Sequence, residues 1–595
     1  MPTMGQQQGQ KSKSEFQERQ KGILKFQDFK GMNVQASRQA LEDGEFSWLE
    51  NAMPIGKGNL AVVPTASTAL TTNAQIPNTI TISTTFSANI SGVDYIFGFF
   101  NDGSLYAVNV TAGFTVTQIA SSSTFSSSGV MATQWKNERL LIIDPSKGYF
   151  TYDTNALISN GGVAQVTISA GGTGYSNSFA VTFSGGGGSG AAGIATASGG
   201  IVLSVTITNG GSGYTSAPTP VFTAGGGSSA SGTAILLAGP ATGQSIASYS
   251  GHVWVSSNRT INISDTGSFA SFSGGVATTL TIVDSTLHNQ ITALLTANNY
   301  LYIFGDDSVD VLGDVQVISG ALSFSRTNIT ASIGTKLATS IFPYYRSVMF
   351  AGNTGFYGMV GSTPQKISDK LNPLYNLIDF TKPISGSQVS VYGILCSCFA
   401  FTFKDTISPN NLGASRNVLA LYFDKKWWLS SQLNNVNLIV GLPLNNSYGC
   451  YAWVKNQLFQ LFTNTGAPII STIQTQLSDD KRDEVDKQAL KLATGITYST
   501  AATSTASVNV DNEFSSVLTA PSVADILTFI NNAGQSITFT GASNIAINFT
   551  GSGYVYSVVD AECNAGKYLG VTITATTAQY TINRISVYYA DGAMF

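Results

Sequence analysis

The strongest constraint on the fold is a hairpin pattern that recurs through the middle of the chain. From about residue 94 to residue 465, pairs of apolar runs rich in aromatic and β-branched residues flank short polar turns, which is typical of β-hairpins. A period of about 40–50 residues is typical of four-stranded propeller blades, so we expect an all-β chain that contains a β-propeller. Successive turns lie 44, 48 and 47 residues apart at the steps Asp102 to Ser146, Asn258 to Asp306 and Asp306 to Asn353.

One interval breaks this period. Ser146 and Asn258 are 112 residues apart, and within that interval GGTGYSNSF at 171–179 recurs 39 residues later as GGSGYTSAP at 210–218. We therefore expect a Gly-rich, duplicated β insert at 160–240, with two or three short strands in each copy. Because surface loops tolerate insertions, the insert is expected either to decorate the outside of the molecule or to contact a fibre.

Composition removes several classes of protein. Only 10% of the 595 residues are charged, against roughly 25% in an ordinary soluble domain, while 43% are hydrophobic, which is ample for a core. The most apolar segment, 394–403, is half the length of about 20 residues that a membrane-spanning helix needs, so no spanning segment is expected. The net charge of −4 argues against a nucleic-acid reader, which normally carries a basic patch.

The two ends differ from the middle. Residues 1–30 are Gln-rich with a local charge balance of +3, which predicts an arm that is either solvated or ordered by a partner. The start lacks the apolar region of a secretory signal, so we expect synthesis in a cytoplasm. Nine of the fourteen residues at 479–492 are charged, which indicates a solvated boundary, and alternating strands after it predict a C-terminal β-sandwich. The expected parts are 1–60 (arm and opening segment), 61–159 (first propeller part), 160–240 (insert), 241–470 (second propeller part) and 471–595 (sandwich-like domain).

Residue types used in catalysis are scarce. His252 and His288 are the only histidines, and His252 lies in an alternating strand, where a structural role is expected. The glycine runs at 185–188 and 225–227 lack the Lys-Ser/Thr of a phosphate-binding loop and are interpreted as turns. Residues 264–267, Ser-Asp-Thr-Gly, resemble half of a sialidase Asp box but lack the Thr that follows in that motif, so they too are interpreted as a turn. We expect no enzyme activity, no catalytic residue and no cofactor.

The densest acidic group in an apolar context is Asp306, Asp307, Asp310 and Asp314. An acidic loop is the default interpretation, and a calcium site or a glycosidase pair would require the carboxylates to converge. Asp310 and Asp314 would share one face of the strand if that strand were regular. No metal site is assigned to them.

The four cysteines give neither a disulfide framework nor a CxxC pair. They are Cys396, Cys398, Cys450 and Cys563. The CxC spacing of Cys396 and Cys398 places both side chains on one face of a strand. Buried free thiols are expected rather than metal ligands.

A resemblance to a known family begins at the opening segment, FKGMNVQASRQALEDGEFSWLEN at 29–51. It resembles the start of bacteriophage tail-nozzle and DNA-stabilisation proteins, in which an apolar-x-Gly-apolar-Asn start precedes Leu-x-x-Gly-Glu and then an Asn before the first blade. The usual Arg-Pro-Gly that follows is only partly present, as Val63-Pro64-Thr65, and the 39-residue repeat is similar to small β decorations of phage structural proteins. The matching residues are Phe29, Gly31, Asn33, Leu41, Gly44, Glu45, Leu49 and Asn51.

The resemblance implies a virion structural protein, the tail nozzle of a short-tailed phage, made in the host cytoplasm. Such proteins look like six-fold propeller rings below the portal and its adaptor; they extend the DNA channel, retain the packaged genome and open for DNA ejection. The implied partners are further copies in a hexameric ring, adaptor or portal proteins, tail fibres, and double-stranded DNA that passes without sequence-specific binding. A charge-poor lumen suits this role because it avoids binding driven by counterion release.

Two other functions stay open from the residues alone. An adhesin or receptor-binding propeller recognising glycans would use exposed aromatics, and Trp427, Trp428, Tyr344 and Tyr345 are the candidates, although paired aromatics in strands are more often core. A β-propeller hydrolase would depend on acids such as Asp306 or Asp310. For the arm, we expect docking to an adaptor or portal, so that deletion of residues 1–28 blocks assembly and leaves the fold intact.

Overall fold

Strands make up nearly all of the regular structure, which confirms the all-β class expected from the sequence. Helical structure within the described part of the chain is confined to one turn of α-helix and three 3₁₀ turns, and no helix there is long and apolar enough to cross a membrane. These short helices are Asn372–Tyr375 (α) and Thr223–Gly225, Ala338–Ser340 and Asp369–Leu371 (3₁₀). The computed structural model describes residues 21–56, 58–70, 75–360, 363–404, 416–436, 438–444, 447–498, 503–511, 513–519, 529–530, 536–537, 539–540, 546–547, 553–561, 565–577 and 580–591.

The chain divides into two units. Unit 1 is Met1–Val62 together with Pro468–Phe595, and unit 2 is Val63–Ala467. Residues 1–60 and 471–595 were expected to be separate parts, whereas their contacts place both in unit 1. The reason is that the first strands of the chain pair with the last ones, a long-range pairing that no local pattern reveals.

Outside the insert, the described residues of unit 2 form six four-stranded antiparallel sheets and a set of four antiparallel strands at 385–430 that belongs to a larger sheet. We call this set sheet 6, and the seven sheets follow one another along the chain. The predicted hairpins, one in each of the seven sheets, are confirmed. They form the second and third strands in six sheets and the third and fourth strands in sheet 6. The strands in pairing order are Ile82–Ile90, Val93–Phe100, Leu105–Asn109 and Thr115–Ala120 (sheet 1); Met131–Trp135, Arg139–Asp144, Gly148–Tyr152 and Leu157–Ser159 (sheet 2); Ser245–Tyr249, His252–Ser257, Thr260–Ile263 and Thr278–Thr281 (sheet 3); Ile291–Ala297, Tyr300–Gly305, Val309–Ile318 and Ala321–Thr330 (sheet 4); Phe342–Tyr344, Ser347–Ala351, Phe356–Val360 and Thr363–Lys366 (sheet 5); Ser385–Val391, Ile394–Thr402, Asn417–Phe423 and Lys426–Ser430 (sheet 6); and Leu438–Leu444, Ser447–Val454, Gln457–Asn464 and Thr65–Leu70 (sheet 7).

Sheet 7 joins the two ends of unit 2. Its outermost strand, Thr65–Leu70, comes from the start of the unit and pairs antiparallel with Gln457–Asn464 from the end. The first strands of neighbouring sheets are also tied together, because Ser87 of sheet 1 donates its hydroxyl to the carbonyl oxygen of Gly441 in sheet 7 at 2.7 Å. The succession of sheets is therefore closed on itself.

The core of unit 2 lies between successive sheets. Strand residues alternate between the two faces, so each sheet presents apolar side chains to the sheet before it and to the sheet after it. Between sheets 1 and 2 these include Phe97 and Ile142, and between sheets 4 and 5 they include Phe304 and Phe350, whose rings meet edge to face at 5.3 Å. Burial of these residues is the main favourable term that holds sheet against sheet.

The insert lies between sheets 2 and 3 along the chain. It contains three strands from each copy of the repeat, which agrees with the prediction of two or three. The first strand of each copy pairs with the third strand of the other copy, and the two second strands pair with each other. This reciprocal pairing relates the two copies approximately by a two-fold axis. The relation is not complete, since Ser178–Ser184 also pairs with Ser189–Ser198 inside the first copy. The strands are Val163–Thr173, Ser178–Ser184 and Ser189–Ser198 in the first copy, and Ile201–Ser212, Thr219–Val221 and Ser228–Leu236 in the second.

The glycine runs of the insert pack against its two repeated tyrosines, Tyr175 and Tyr214, which are buried. A Cβ on Gly188 would stand 2.5 Å from the ring of Tyr214, and a Cβ on Gly227 would stand 2.5 Å from the ring of Tyr175. The runs are thus turns that lie close against an aromatic ring, which confirms their interpretation as turns. From residue 154 to residue 258 the sequence has no Asp, Glu, Lys or Arg, so the insert is held by packing and backbone hydrogen bonds.

Unit 1 contains two larger sheets. The strands of one are Ala52–Ile55, Asn59–Val62, Tyr580–Asp591, Lys487–Tyr498 and Gly553–Asp560, with Lys21–Phe26 on the same edge of Tyr580–Asp591 as Asn59–Val62. The other contains Gly31–Met32, Glu45–Glu50, Ile469–Thr475, Leu569–Thr577, Thr503–Val510 and Glu513–Thr519. Two short hairpins form separate two-stranded sheets. Their strands are Phe529–Ile530 with Ser536–Ile537, and Phe539–Thr540 with Ala546–Ile547.

Two expectations about the ends change with this pairing. Residues 21–26 of the expected arm form a strand in which Leu24 and Phe26 are buried, so a deletion of residues 1–28 would remove part of a sheet. The charged stretch at 479–492 is not a boundary, because it lies inside unit 1. Its Lys487 is fully buried and donates from Nζ to the carbonyl oxygens of Arg482, Val485 and Lys567 at 2.5, 2.9 and 3.2 Å.

Candidate functional site

The first strands of all seven sheets of unit 2 line one cavity of about 470 Å³. Its described lining contains no Asp, Glu, Lys, Arg or His and is made of apolar, hydroxyl and amide side chains. Several of the hydroxyl groups already have partners: Thr296 donates to the carbonyl oxygen of Ser248 at 2.9 Å and Thr339 to that of Ile384 at 2.6 Å. The cavity therefore offers no charged group and few free donors for catalysis or for binding an ion.

Within the residues that the structure describes, five of the turns that join a first strand to a second strand consist of two residues. The first turn residue has a positive φ in every case, as tight β-hairpins require. Hydrogen bonds connect neighbouring sheets at or beside these turns. Asn298 donates from Nδ2 to the carbonyl oxygen of Arg346 at 2.9 Å, and the Tyr344 hydroxyl donates to the carbonyl oxygen of Leu395 at 2.9 Å. The first turn residues, with φ of 50–53°, are Ser91, Ser250, Asn298, Tyr345 and Tyr392.

The aromatic residues singled out for glycan binding divide into two groups. Trp427, Trp428 and Tyr344 are buried in the sheets, as the core interpretation of paired aromatics has it. Tyr345 is 62% exposed at its turn. The sequence analysis missed the exposed Tyr300 and Tyr392, although a tyrosine at a turn position that favours Asn or Gly is a signal that could have found Tyr392.

The four aspartates of the acidic group point to separate partners. Asp306 accepts a hydrogen bond from Asn289 at 2.7 Å, and Asp307 accepts one from His288. Asp310 is buried and bonded to Arg326 Nη1 at 2.6 Å, and Arg326 also pairs with Asp284. That bond holds the pKa of Asp284 below its ordinary value.

Asp314 does not share a strand face with Asp310 in the regular way that the spacing suggested. It has a φ of 54° and lies in a bulge between Gly313 and Gln316, where the register with the next strand shifts. Its carboxylate accepts a hydrogen bond from the Ser325 hydroxyl at 2.9 Å. In the described part of the chain, no group of three or more His, Cys, Asp or Glu could hold a metal ion.

The other candidates for chemistry have structural roles. Nδ1 of the buried His252 donates to the carbonyl oxygen of Ser264 at 2.7 Å, as expected for a structural histidine. Asp265 closes the predicted turn by accepting backbone N–H bonds from Val276 and Thr266, and these bonds lower its pKa.

The described cysteines are buried free thiols, as predicted. Burial raises the pKa of Cys396 and of Cys450 to about 12, and it raises that of Cys398 as well. A thiol with so high a pKa is a poor nucleophile and a poor metal ligand at neutral pH. Cys563 lies outside the described residues.

The residues that carry the family resemblance build the opening of unit 1. Gly44 has a φ of 85°, and a Cβ there would stand 2.6 Å from the carbonyl oxygens of Gln27 and Asp28, so only glycine fits. The Glu45 carboxylate accepts hydrogen bonds from Asn33 Nδ2 at 2.9 Å and from the Glu42 N–H at 3.0 Å. All but Asn33 of the eight matching residues are buried, so the motif encodes how this segment folds.

The comparisons with known proteins do not identify a family. No protein-family model matches the chain, and no curated protein matches it. Among solved structures, one described as the crystal structure of a mitotic checkpoint complex is 10% identical, with a TM-score of 0.24; the match covers 59% of this chain and 95% of that chain. A likeness at this level supports no statement about fold or function.

Proposed function

We propose that unit 2 is a seven-bladed β-propeller, that unit 1 is a β-sandwich, and that the chain is the tail nozzle of a short-tailed phage. The succession of four-stranded sheets, the closure by Thr65–Leu70 and the shared cavity support the propeller. The nozzle is supported by the opening segment at 29–51, which resembles the start of the nozzle family at eight residues. Two of these, Gly44 and Glu45, occupy positions that the local fold requires.

The DNA channel of such a nozzle must lie between copies of the chain. The cavity of about 470 Å³ holds roughly 16 water molecules at about 30 Å³ each, which is far too little for a DNA duplex. A ring of identical copies, joined by a heterologous interface that closes on itself, supplies a wider opening. The chain in this role acts without catalysis or cofactor: it extends the channel below portal and adaptor, retains the genome and opens for ejection.

The first experiment measures the mass and symmetry of the purified full-length chain. Six chains of 62.4 kDa give a ring of about 374 kDa, which light scattering and negative-stain imaging would detect. We expect six-fold rings, alone or after addition of the adaptor, and the same rings at the distal end of the virion tail. A strictly monomeric chain that is absent from virions contradicts the proposal.

The second experiment tests the arm and uses a shorter deletion than the sequence suggested. Removal of residues 1–20 keeps the strand Lys21–Phe26, whereas removal of residues 1–28 also takes away the buried Leu24 and Phe26. We expect the 1–20 deletion to retain its unfolding temperature and to lose incorporation into particles. Normal incorporation of that variant would remove the docking role of the arm.

The rival function, a glycan-binding adhesin, loses three of the four aromatics on which it was based, because they are buried. Of the four, Tyr345 alone is exposed. The hydrolase alternative depended on converging acids, and Asp306 and Asp310 have separate partners. For these reasons the nozzle is the function that we carry forward.

A further inference from the structure

Three exposed tyrosines lie at consecutive turns of unit 2. Tyr345 and Tyr392 are the first turn residues in sheets 5 and 6, and Tyr300 follows the turn of sheet 4; their exposed fractions are 62%, 38% and 46%. The bond from Asn298 Nδ2 to the carbonyl oxygen of Arg346 joins the turns of sheets 4 and 5. The bond from Tyr344 to Leu395 joins sheets 5 and 6 just beside their turns. We call Tyr300, Tyr345 and Tyr392 the tyrosine row.

The fold does not require tyrosine at these positions. The equivalent turn residues in sheets 1, 3 and 4 are Ser91, Ser250 and Asn298, and they have the same φ of 50–53° as the two tyrosines. A bulky side chain at positive φ is strained, and such strain concentrates at functional sites. Since the rings of Tyr345 and Tyr392 are exposed instead of packed in the core, their presence calls for a reason outside folding.

Two of the three rings, those of Tyr300 and Tyr345, are supported by neighbouring groups. A Cβ on Gly313 would stand 3.0 Å from the ring of Tyr300, so this ring lies against the backbone of the neighbouring strand. The ring of Tyr345 meets that of the buried Tyr344 edge to face, with centroids 4.8 Å apart. Rings supported in this way lose little conformational freedom when a ligand stacks on their open face.

The chemistry around the row is that of hydrogen bonding to a polar ligand. The same turns carry exposed Asn299 and Arg346, which offer amide and guanidinium donors beside the rings. These turns carry no acidic residue, and Arg346 has no ion pair in the part of the chain that the structure describes. Aromatic faces flanked by amide and guanidinium groups match a sugar, whose rings have an apolar C–H face and a rim of hydroxyl groups.

The size of the row favours a small ligand over a protein. At about 200 Å² for a whole tyrosine, the three side chains expose about 300 Å² together. A stable protein interface buries about 800 Å² on each partner, and the other exposed residues of these turns are polar. We propose that the tyrosine row binds an oligosaccharide by stacking of sugar rings on the tyrosines. This site is independent of the ring assembly proposed above.

The test uses the full-length chain on a printed array with two arms, bacterial lipopolysaccharide O-chains and capsular oligosaccharides. The best oligosaccharide is then measured by calorimetry against Tyr345→Asn and Tyr392→Asn. We expect each substitution to raise Kd by about tenfold or more, as loss of a central aromatic contact does. The unfolding temperature should not fall, because Asn298 already occupies the equivalent turn position.

Matched variants separate a binding role from a structural one. Ser250→Asn changes the same turn position in sheet 3 and should leave Kd unchanged, and Tyr345→Phe should keep most of the affinity because the ring remains. The set of sugars on the array that binds the chain, O-chains or capsular oligosaccharides, identifies the source of the sugar. The proposal is overturned if the chain binds neither set of sugars, or if the double variant Tyr345→Asn/Tyr392→Asn binds the oligosaccharide as tightly as the original chain. It is also overturned if these variants stop binding a protein partner but still bind the sugar. None of these readouts depends on whether the chain forms a ring.

Discussion

Two arginines of unit 2 occupy contrasting environments. Arg326 bridges Asp284 and Asp310, so its charge and theirs are mutually compensated. Arg139 lies with its guanidinium carbon 3.8 Å from the centroid of the Phe269 ring, and its buried Nε and Nη1 have no hydrogen-bond partner among the residues that the structure describes. Burial lowers the pKa of Arg139, which shows that the charged form is poorly solvated there.

We expect the two arginines to respond differently to replacement by methionine. Arg139→Met should leave the free energy of unfolding within about 1 kcal/mol or raise it, since it removes a guanidinium whose buried Nε and Nη1 lack hydrogen-bond partners in the described part of the chain. Arg326→Met should lower it by about 2 to 3 kcal/mol, because the Asp310 carboxylate stays buried without its cation. Denaturant unfolding of both variants provides the measurement. Equal losses for the two would contradict this account of Arg139.

At the scale of single residues, the sequence indicated which side chains matter but not which way they point. Trp427 and Tyr345 both belong to aromatic pairs, yet Trp427 is buried and Tyr345 is exposed. The difference arises because Trp427 lies in a strand and Tyr345 lies at a turn. The bulge at Asp314 likewise has no local sequence signal, so the relation between Asp310 and Asp314 could not be foreseen. By contrast, the structural role of His252 could be predicted, because its apolar neighbours indicate a strand.

The insert shows what local patterns reveal at the scale of elements and what they do not. Its repeat and its strands could be predicted from the 39-residue period and the alternation of side chains. The exchange of first and third strands between the copies could not, because each copy taken alone is compatible with pairing inside itself. The symmetry nevertheless has a consequence at two glycines related by the repeat.

We expect Gly188→Ala and Gly227→Ala to destabilise the chain by similar amounts, about 1–3 kcal/mol each, as overpacking of a filled site does. In each case the added methyl group would stand 2.5 Å from a buried tyrosine ring, so either the ring or the backbone must move. Thermal unfolding measures the effect. The matched controls Ser189→Ala and Ser228→Ala, one residue further along each copy and exposed, should change the unfolding temperature little. A large cost at only one of the two glycines would contradict the two-fold relation.

At the scale of the whole molecule, seven of the hairpins could be predicted but the connections between distant segments could not. The hairpins depend on residues within a few positions of each turn, which is why all seven were found. The pairing of Thr65–Leu70 with Gln457–Asn464, and of Lys21–Phe26 with Tyr580–Asp591, joins segments hundreds of residues apart. Such pairings are decided by which sheet edges remain open after local folding, and no periodicity reports that.

Buried acidic protons in both units predict how the whole chain responds to alkali. Burial raises the pKa of Tyr152, Tyr451 and Tyr589 to about 12, from an ordinary value of 10.0, and that of Cys396 and Cys450 to about 12, from 9.0. The folded chain therefore keeps these protons at a pH where the unfolded chain releases them. Their stabilising contribution is complete below about pH 9 and is lost as the pH rises towards 12.

We accordingly expect the free energy of unfolding to stay nearly constant from pH 7 to 8.5 and to fall steadily above pH 9. Urea unfolding at a series of pH values, followed by tryptophan fluorescence, measures this dependence. At pH 8, thiol labelling of the native chain should miss Cys396, Cys398 and Cys450, since all three are buried. Stability that persists unchanged to pH 11 would be inconsistent with these pKa values.

The pairing of the strand Thr65–Leu70 also constrains the order in which the chain folds during synthesis. A ribosome that adds about 5–20 residues per second needs roughly 20 to 80 seconds to proceed from this strand to its partner, Gln457–Asn464. During that time sheets 1 to 6 can form one after another, while this early strand waits without its partner. Unit 1 waits longer still, because its N-terminal strands pair with residues near the end of the chain. On a crowded polysome, the waiting strand of one nascent chain can be captured by the open sheet of the next, so the last pairing to form is the one at which assembly most easily goes wrong.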